Sequence, residues 1–222
     1  MKNQIVNAGA RLLKVDLRKT VSSVKTIRDP VFWGNRLFKI LETLEGGIMH
    51  ETPKKGSVVP TGREISLGGD DFIVSKTDTK GKITYANQIF IRMSGYSERE
   101  LLGAPHNVIR HPDMPRCVFR LLWKTIMDGR ECFAYVVNLS KDGSHYWVAA
   151  HVTPEITAGK HVGYISVRRK PNPEIVRSLI EPLYAKLLQA ERSGGMEAGE
   201  RLLNQILSEK GVSYDAFIQP TL

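Results

Sequence analysis

The stretch that decides the fold is CFAYVVNLSKDGSHYWVAAHVTP, Cys132 to Pro154. Two runs rich in aromatic and β-branched residues, Cys132 to Ser140 and His145 to Pro154, flank Lys141-Asp142-Gly143-Ser144. Asp-Gly between alternating apolar runs signals a tight hairpin, because the favoured turn needs positive φ at its central residues. Two long antiparallel strands are therefore expected, and a further strand, His161 to Arg168, follows directly.

Working back towards the N-terminus, Phe72-Ile73-Val74 and Lys82-Ile83-Thr84-Tyr85 flank the turn Thr79-Lys80-Gly81 and predict an earlier hairpin. Between the two strand groups the pattern turns helical. Asn87 starts a short helix that Gly95 closes, and Ser97-Glu98-Arg99-Glu100 has capping-box spacing for a second one ended by Gly103. A longer helix has Val118, Phe119, Leu121, Leu122, Ile126 and Met127 on its apolar face, Trp123 at its edge and Gly129 at its end. Strands, then helices, then strands imply an α+β domain: one antiparallel sheet with short helices on one face.

This compact domain spans residues 64–171. Residues 1–63 read as an N-terminal helical extension and linker. Asp29 caps a helix with Pro30 at its first position, and Phe32, Trp33, Leu37, Phe38, Leu41 and Leu44 make one apolar face. Residues 172–222 read as a C-terminal helical segment for signalling or interaction. There Ile175, Val176, Leu179, Ile180, Leu183, Tyr184, Leu187 and Leu188 form a seam for another helix. Pro182 kinks that helix or begins a second one, and Gly194-Gly195 breaks it.

The densest polar stretch is PHNVIRHPDMP, Pro105 to Pro115, with two histidines, an arginine, an aspartate and three prolines. Proline fixes φ and disfavours helix in the residue before it, so this is a stiffened loop that holds polar side chains at set angles. It either caps the next helix or forms the wall of a site.

Composition bounds the function. The chain has 222 residues, 41% hydrophobic, a net charge of +9 and a pI near 9.6. The basic excess is scattered and lies mostly in the first sixty residues, without the arginine stripes and interleaved aromatics of a nucleic-acid binder. No run reaches the roughly 18 apolar residues of a membrane span. Cys117 and Cys132 have no metal-binding spacing and fit a reduced, cytoplasmic compartment. No nucleophile elbow, His-Glu-x-x-His metal signature or phosphate loop is present, so an enzyme is not expected.

A cavity between the short helices and the sheet is the natural binding site. Arg110 and His111 could face an anion or a polar ring edge, and His111 could instead ligate a metal or haem. Trp123 either stacks on a flat ligand or packs in the core. Asn138 either pairs with a heterocycle edge or faces solvent.

The segments FIVSKTDTKGKITYANQIFIRMSGYSERELLG, PHNVIRHPDMP, NLSKDGSHYWVAAHVTP and VGYISVRRKP resemble the PAS domains of bacterial aerotaxis and energy-taxis receptors. The resemblance runs from Asp71 to Lys170, and EIVRSLIEPLYAKLL looks like the helix that follows PAS in those receptors. It implies a five-stranded antiparallel PAS sheet and a non-covalently held FAD that reports redox state or oxygen. Carried over by position, the flavin-contacting residues are Asn87, Arg110, His111, Asp113, Trp123 and Asn138. The sequence departs at Cys132-Phe133-Ala134, where the receptors have Trp-Ser-Gly, and at Leu139-Ser140, where they have paired arginines. These departures leave haem b, or a cofactor-free dimerisation or scaffold module, as alternatives.

The likeness further implies a stand-alone cytoplasmic sensor, likened to the soluble energy-taxis PAS proteins. It would form a homodimer, bind neither nucleic acid nor metal, and act without catalysis. Its partner would be a membrane-bound chemotaxis transducer or another signalling protein at the inner face of the membrane. The apolar seams of its terminal helices would be the exposed output surface.

Overall fold

Alternation of buried and half-buried residues over Ile73–Asp78 marks the first strand, β1, the signature of a strand with one face on the core. A computed structural model of the chain describes residues 58–219. The helices expected over residues 1–57 lie outside the described residues. β2 (Ile83–Ala86) pairs with β1 across a turn at Gly81. The large hairpin is as the sequence predicts: β3 (Cys132–Leu139) and β4 (His145–Thr157) pair antiparallel with Leu139 opposite His145. β5 (Lys160–Arg169) returns between β4 and β1. The sheet order is β2-β1-β5-β4-β3, antiparallel throughout.

The helices on the inner face start and stop where the chemistry of their ends dictates. Helix α1 (Gln88–Ser94) begins at Asn87, whose side chain accepts the amide of Phe90, and ends at Gly95 in the left-handed conformation. Helix α2 (Glu98–Leu101) carries the capping box of Ser97 and Glu100. A single 3-10 turn, His106–Ile109, leads to α3 (Arg116–Met127), which buries Cys117, Val118, Leu122, Thr125 and Ile126. Phe90, Leu101, Ile109, Met114, Tyr146 and Val148 are fully buried between these helices and the sheet.

The segment expected to be linker is pinned to the large hairpin from Thr61 onward. The Thr61 amide donates to the Gly143 carbonyl at 2.8 Å, and the Ile65 amide donates to the His145 carbonyl at 2.8 Å. The turn needs its glycine: Gly143 has φ +83°, and a Cβ there would lie 2.4 Å from the Val59 carbonyl oxygen.

The C-terminal segment corrects one expectation. A turn of helix (Pro173–Ile175) and a wider turn (Val176–Ile180) precede helix α4 (Glu181–Glu209), which Pro182 begins rather than kinks. Gly194 and Gly195 leave the helical conformation, and the second half of α4 doubles back along the first. A Cβ on Gly199 would touch both Glu191 and Cys117, and the buried Tyr214 lies close to Tyr184. A last short helix, α5 (Tyr214–Ile218), absent from the sequence reading, buries Ile218.

The apolar seam is therefore covered, not displayed. Val176, Ile180, Leu183, Tyr184 and Leu187 are buried, and the Tyr184 hydroxyl donates to the Tyr135 carbonyl of edge strand β3 at 2.6 Å. The folded-back half, α3 and the β3 edge together give this face more apolar area than solvent exposure would leave it.

Candidate functional site: a cationic cavity over the sheet

Because successive strand residues point to opposite faces, one register of the sheet lines the space beneath the helices. Ser75 and Thr77 of β1, Val136 and Asn138 of β3, and Tyr164, Ser166 and Arg168 of β5 face a cavity of about 370 Å³. Helix α3 closes its other side with Phe119, Leu122 and Trp123, and the opening stretch contributes Pro105, His106 and Arg110. That volume falls in the usual range for small-molecule sites, about 300–1,000 Å³.

The stiff loop Pro105 to Pro115 is fastened at two places. Pro105 bridges Lys82 of the β1–β2 turn, and Arg110 bridges Asn138 on β3. The His106 amide donates to the Gly81 carbonyl at 2.9 Å. Gly81 sits at φ +78°, and a Cβ there would press on the Trp123 ring at 3.0 Å, so the turn, the loop and the tryptophan fit as one wall.

Three of the six residues carried over from the family line this cavity, and three stand outside its lining. Asn138 is buried and faces inward, with no hydrogen-bond partner for its Nδ2; the solvent-facing alternative does not hold. Arg110 lies over the Phe119 ring at 4.4 Å, and its Nη2 has no partner. Trp123 meets Tyr164 edge-on at 5.3 Å. Asn87, in contrast, spends its side chain on the backbone: Oδ1 accepts from Val74 and Phe90, and Nδ2 donates to the Phe72 carbonyl. His111 is buried against His145, ring centroids 5.5 Å apart, and its Nδ1 accepts the Asp113 amide. Asp113 is exposed, 3.8 Å from that ring. These three hold the walls of the cavity.

The cavity's inner end carries no signal in the sequence. Arg168 is 2% exposed. Its Nη2 donates to the Ser75 hydroxyl and its guanidinium lies 4.5 Å over the Phe90 ring, but Nε and Nη1 have no partner. Ser75 in turn lies 3.3 Å from His106 Nε2. Since arginine can only donate, Ser75 accepts from it and passes its own proton towards a neutral His106. Burial first, and the Arg168 charge second, pull the His106 pKa down to about 3.

Lys80, Arg110, Arg116, Arg120 and Arg168 all line the cavity, and no carboxylate does among the described residues. An aromatic, cation-rich cavity with unpaired donors from Asn138, Arg110 and Arg168 suits a flat, acceptor-rich or anionic ligand. Neither cysteine lines it, and burial pushes the thiols of Cys117 and Cys132 up to about 12.

The cavity also touches the C-terminal hairpin. Met196, just past the glycine break, is part of its lining. Arg120 pairs with Glu197 at 3.2 Å and Glu200 at 3.5 Å. The Glu191 carboxylate accepts the amides of Arg116 and Cys117 at 3.1 and 2.7 Å, capping α3 from another helix because the Pro115 ring carries no acceptor. Glu191→Ala is expected to destabilise the protein by about 1 kcal/mol, and Glu191→Gln, which keeps an acceptor, by less. Urea denaturation of the three proteins measures the difference.

The PAS fold family profile matches residues 83–168. The aerotaxis receptor of Escherichia coli (strain K12) is 41% identical over 133 residues, 60% of this chain and 26% of the receptor. The chain carries a PAS domain of the aerotaxis-receptor family. A nitrogen fixation regulatory protein of Klebsiella pneumoniae is 30% identical to this chain over 97 residues, 43% of it and 20% of the regulator. This chain thus spans about a quarter of the receptor's length and a fifth of the regulator's. Among solved structures, a light–oxygen–voltage domain from a study of a flavin analogue aligns over 52% of this chain and 87% of its own, at 24% identity and a TM-score of 0.43. Among the described residues no helix is long and apolar enough to cross a membrane.

Proposed function

We propose that this PAS domain is a cytoplasmic redox or oxygen sensor for energy taxis that binds FAD non-covalently and acts by protein contact rather than catalysis. The observation that carries the reading is the cavity itself: cationic, free of carboxylates among the described residues, walled by Trp123 and Phe119, and furnished with unpaired donors from Asn138 and Arg110. A flavin ring offers a flat apolar body with carbonyl oxygens along one edge, and its phosphates suit Lys80, Arg116 and Arg120. Asn138 and Arg110 would hold the ring edge, Trp123 and Phe119 its faces, while Asn87, His111 and Asp113 fix the walls.

When bound, the flavin supplies a change of charge and protonation with redox state. The chain's part is to transmit it. Met196 and the Arg120 pairs to Glu197 and Glu200 join the cavity wall to the turn of the C-terminal hairpin, and Glu191 joins the same hairpin to α3. A partner, such as a membrane-bound chemotaxis transducer, needs only to prefer one hairpin position by about 1 kcal/mol or more.

The test is the visible spectrum of the purified protein and its uptake of added FAD. Flavin bands support the reading, a sharp Soret band points to haem, and a protein that takes up neither defeats it. Trp123→Ala is expected to weaken FAD binding about tenfold or more, by loss of the stacking wall. A cofactor-free scaffold would bind its partner identically with either residue.

A further inference from the structure

A buried cation without a counter-charge is costly, since burial strips its water and nothing replaces it. Arg168 is in that position. The groups facing it are the Ser75 hydroxyl, the His106 imidazole, the Phe90 ring and the Tyr146 phenol. None supplies a negative charge: Tyr146 is buried and its pKa is raised, its hydroxyl having no partner, and His106 is neutral at physiological pH. Burial lowers Arg168 only to about 10, so it stays charged. Two of its donors, Nε and Nη1, are left over in the part of the domain where a ligand has room. Alternative uses fail on geometry: no ion pair to Arg168 is formed among the described residues, and Ser75 already serves a different nitrogen.

We infer that Arg168 is the specificity-determining residue of this cavity, selecting ring ligands that carry negative charge on the edge facing β5. The inference deepens the flavin reading and, for that ligand, rests on it. A flavin that has gained an electron pair and a single proton bears a negative charge on its pyrimidine edge, and the oxidised ring is neutral there. Arg168 then makes the cavity hold the reduced form more tightly than the oxidised one, and this difference in affinity is the free energy available to move the hairpin. The chain Arg168–Ser75–His106 gives the same charge a route to the Pro105–Pro115 loop.

The charge selectivity is tested without flavin by a matched pair of fluorescent probes, 1-anilinonaphthalene-8-sulfonate and its neutral relative N-phenyl-1-naphthylamine. The native protein is expected to bind the sulfonate about tenfold or more tightly than the neutral probe. Arg168→Met and Arg168→Gln should lower the ratio severalfold, leaving only what Lys80, Arg110, Arg116 and Arg120 supply, and Arg168→Lys should keep more of it. Circular dichroism and a cooperative melt check that each variant is folded. A native ratio near one, or a ratio unchanged in a folded neutral variant, overturns the inference, and the native measurement stands even if both neutral variants fail to fold.

A second arm measures FAD binding in the oxidised form and after reduction with dithionite. Preference for the reduced form is expected in the native protein and should fall about tenfold in Arg168→Met. If no FAD binds while the sulfonate preference depends on Arg168, the flavin reading fails and the role of Arg168 stands. If FAD binds equally in both states to the native protein and to Arg168→Met, and the sulfonate preference is also unaffected, Arg168 has no such role and the flavin reading stands.

Discussion

Leu187→Ala is expected to destabilise the protein by about 3 kcal/mol, within the roughly 2–5 kcal/mol range for leucine removed from a packed core. Leu187 is fully buried, one turn beyond Tyr184 and one turn before Glu191. Its neighbours on that face, Ile180, Leu183 and Tyr184, are also buried, and the last is tied to the β3 backbone. Truncation would remove methyl groups from the centre of the contact while the bond from Tyr184 and the cap from Glu191 hold the helix in place, so the cavity could not close fully. Urea denaturation gives the loss of stability, and limited proteolysis shows where it falls. Cleavage within residues 172–219 ahead of the sheet would mark the hairpin as the separable unit, as a signalling element must be. Loss of less than about 1 kcal/mol would mean that the helix is not part of the folded core.

The seam expected to be exposed is buried against the chain's own sheet edge and helices. Spacing alone finds the apolar stripe from Ile175 to Leu188, but it cannot say whether the stripe meets another molecule or the same chain. The answer lies in the reversal at Gly194-Gly195 and in Tyr214–Ile218, a helix too short to leave a periodic signal. Where the signal is local, the sequence is readable to within a residue: Asn87 and Gly95 bound α1, Ser97 and Glu100 form their capping box, and Asp142-Gly143 turns the hairpin.

The site is less legible, for a reason built into binary patterning. In β5 the apolar residues Ile165 and Val167 look like the core face, and Tyr164, Ser166 and Arg168 look like the solvent face. The structure reverses this, because the polar register faces the cavity. In β1, Ser75 and Thr77 share the inward register with the fully buried Ile73, so polar residues line the cavity there too. A polar-lined cavity replaces the apolar core along one register, so the rule that finds core residues hides the candidate site. Asn138 was visible only because it interrupts an otherwise apolar strand. Arg168, the last inward residue of its strand beside Arg169 and Lys170, had the look of a charged strand end.

Acid should destabilise the fold through His106 more than through any surface group. As a residue it is half-buried, but its ring is turned inward, between Ser75 and Phe90 and near the Arg168 charge. Its pKa falls from 6.5 in the unfolded chain to about 3 in the folded one. Between those values the unfolded state binds the proton and the folded state does not, so stability is fully present above pH 6.5. It is then lost as the pH falls, at about 1.4 kcal/mol per pH unit, and the loss is complete near the folded pKa. The whole contribution is on the order of 4 kcal/mol, a large share of the roughly 5–15 kcal/mol that holds an ordinary domain together. His111, also lowered by burial, adds in the same direction. His106→Gln keeps an acceptor for the Ser75 hydroxyl and removes the titration. Urea denaturation at intervals from pH 8 to pH 4 should give a much shallower slope for the variant than for the native protein. Equal slopes would place the His106 ring in water, break the chain from Arg168 through Ser75, and leave the buried guanidinium with no route to the loop from Pro105 to Pro115.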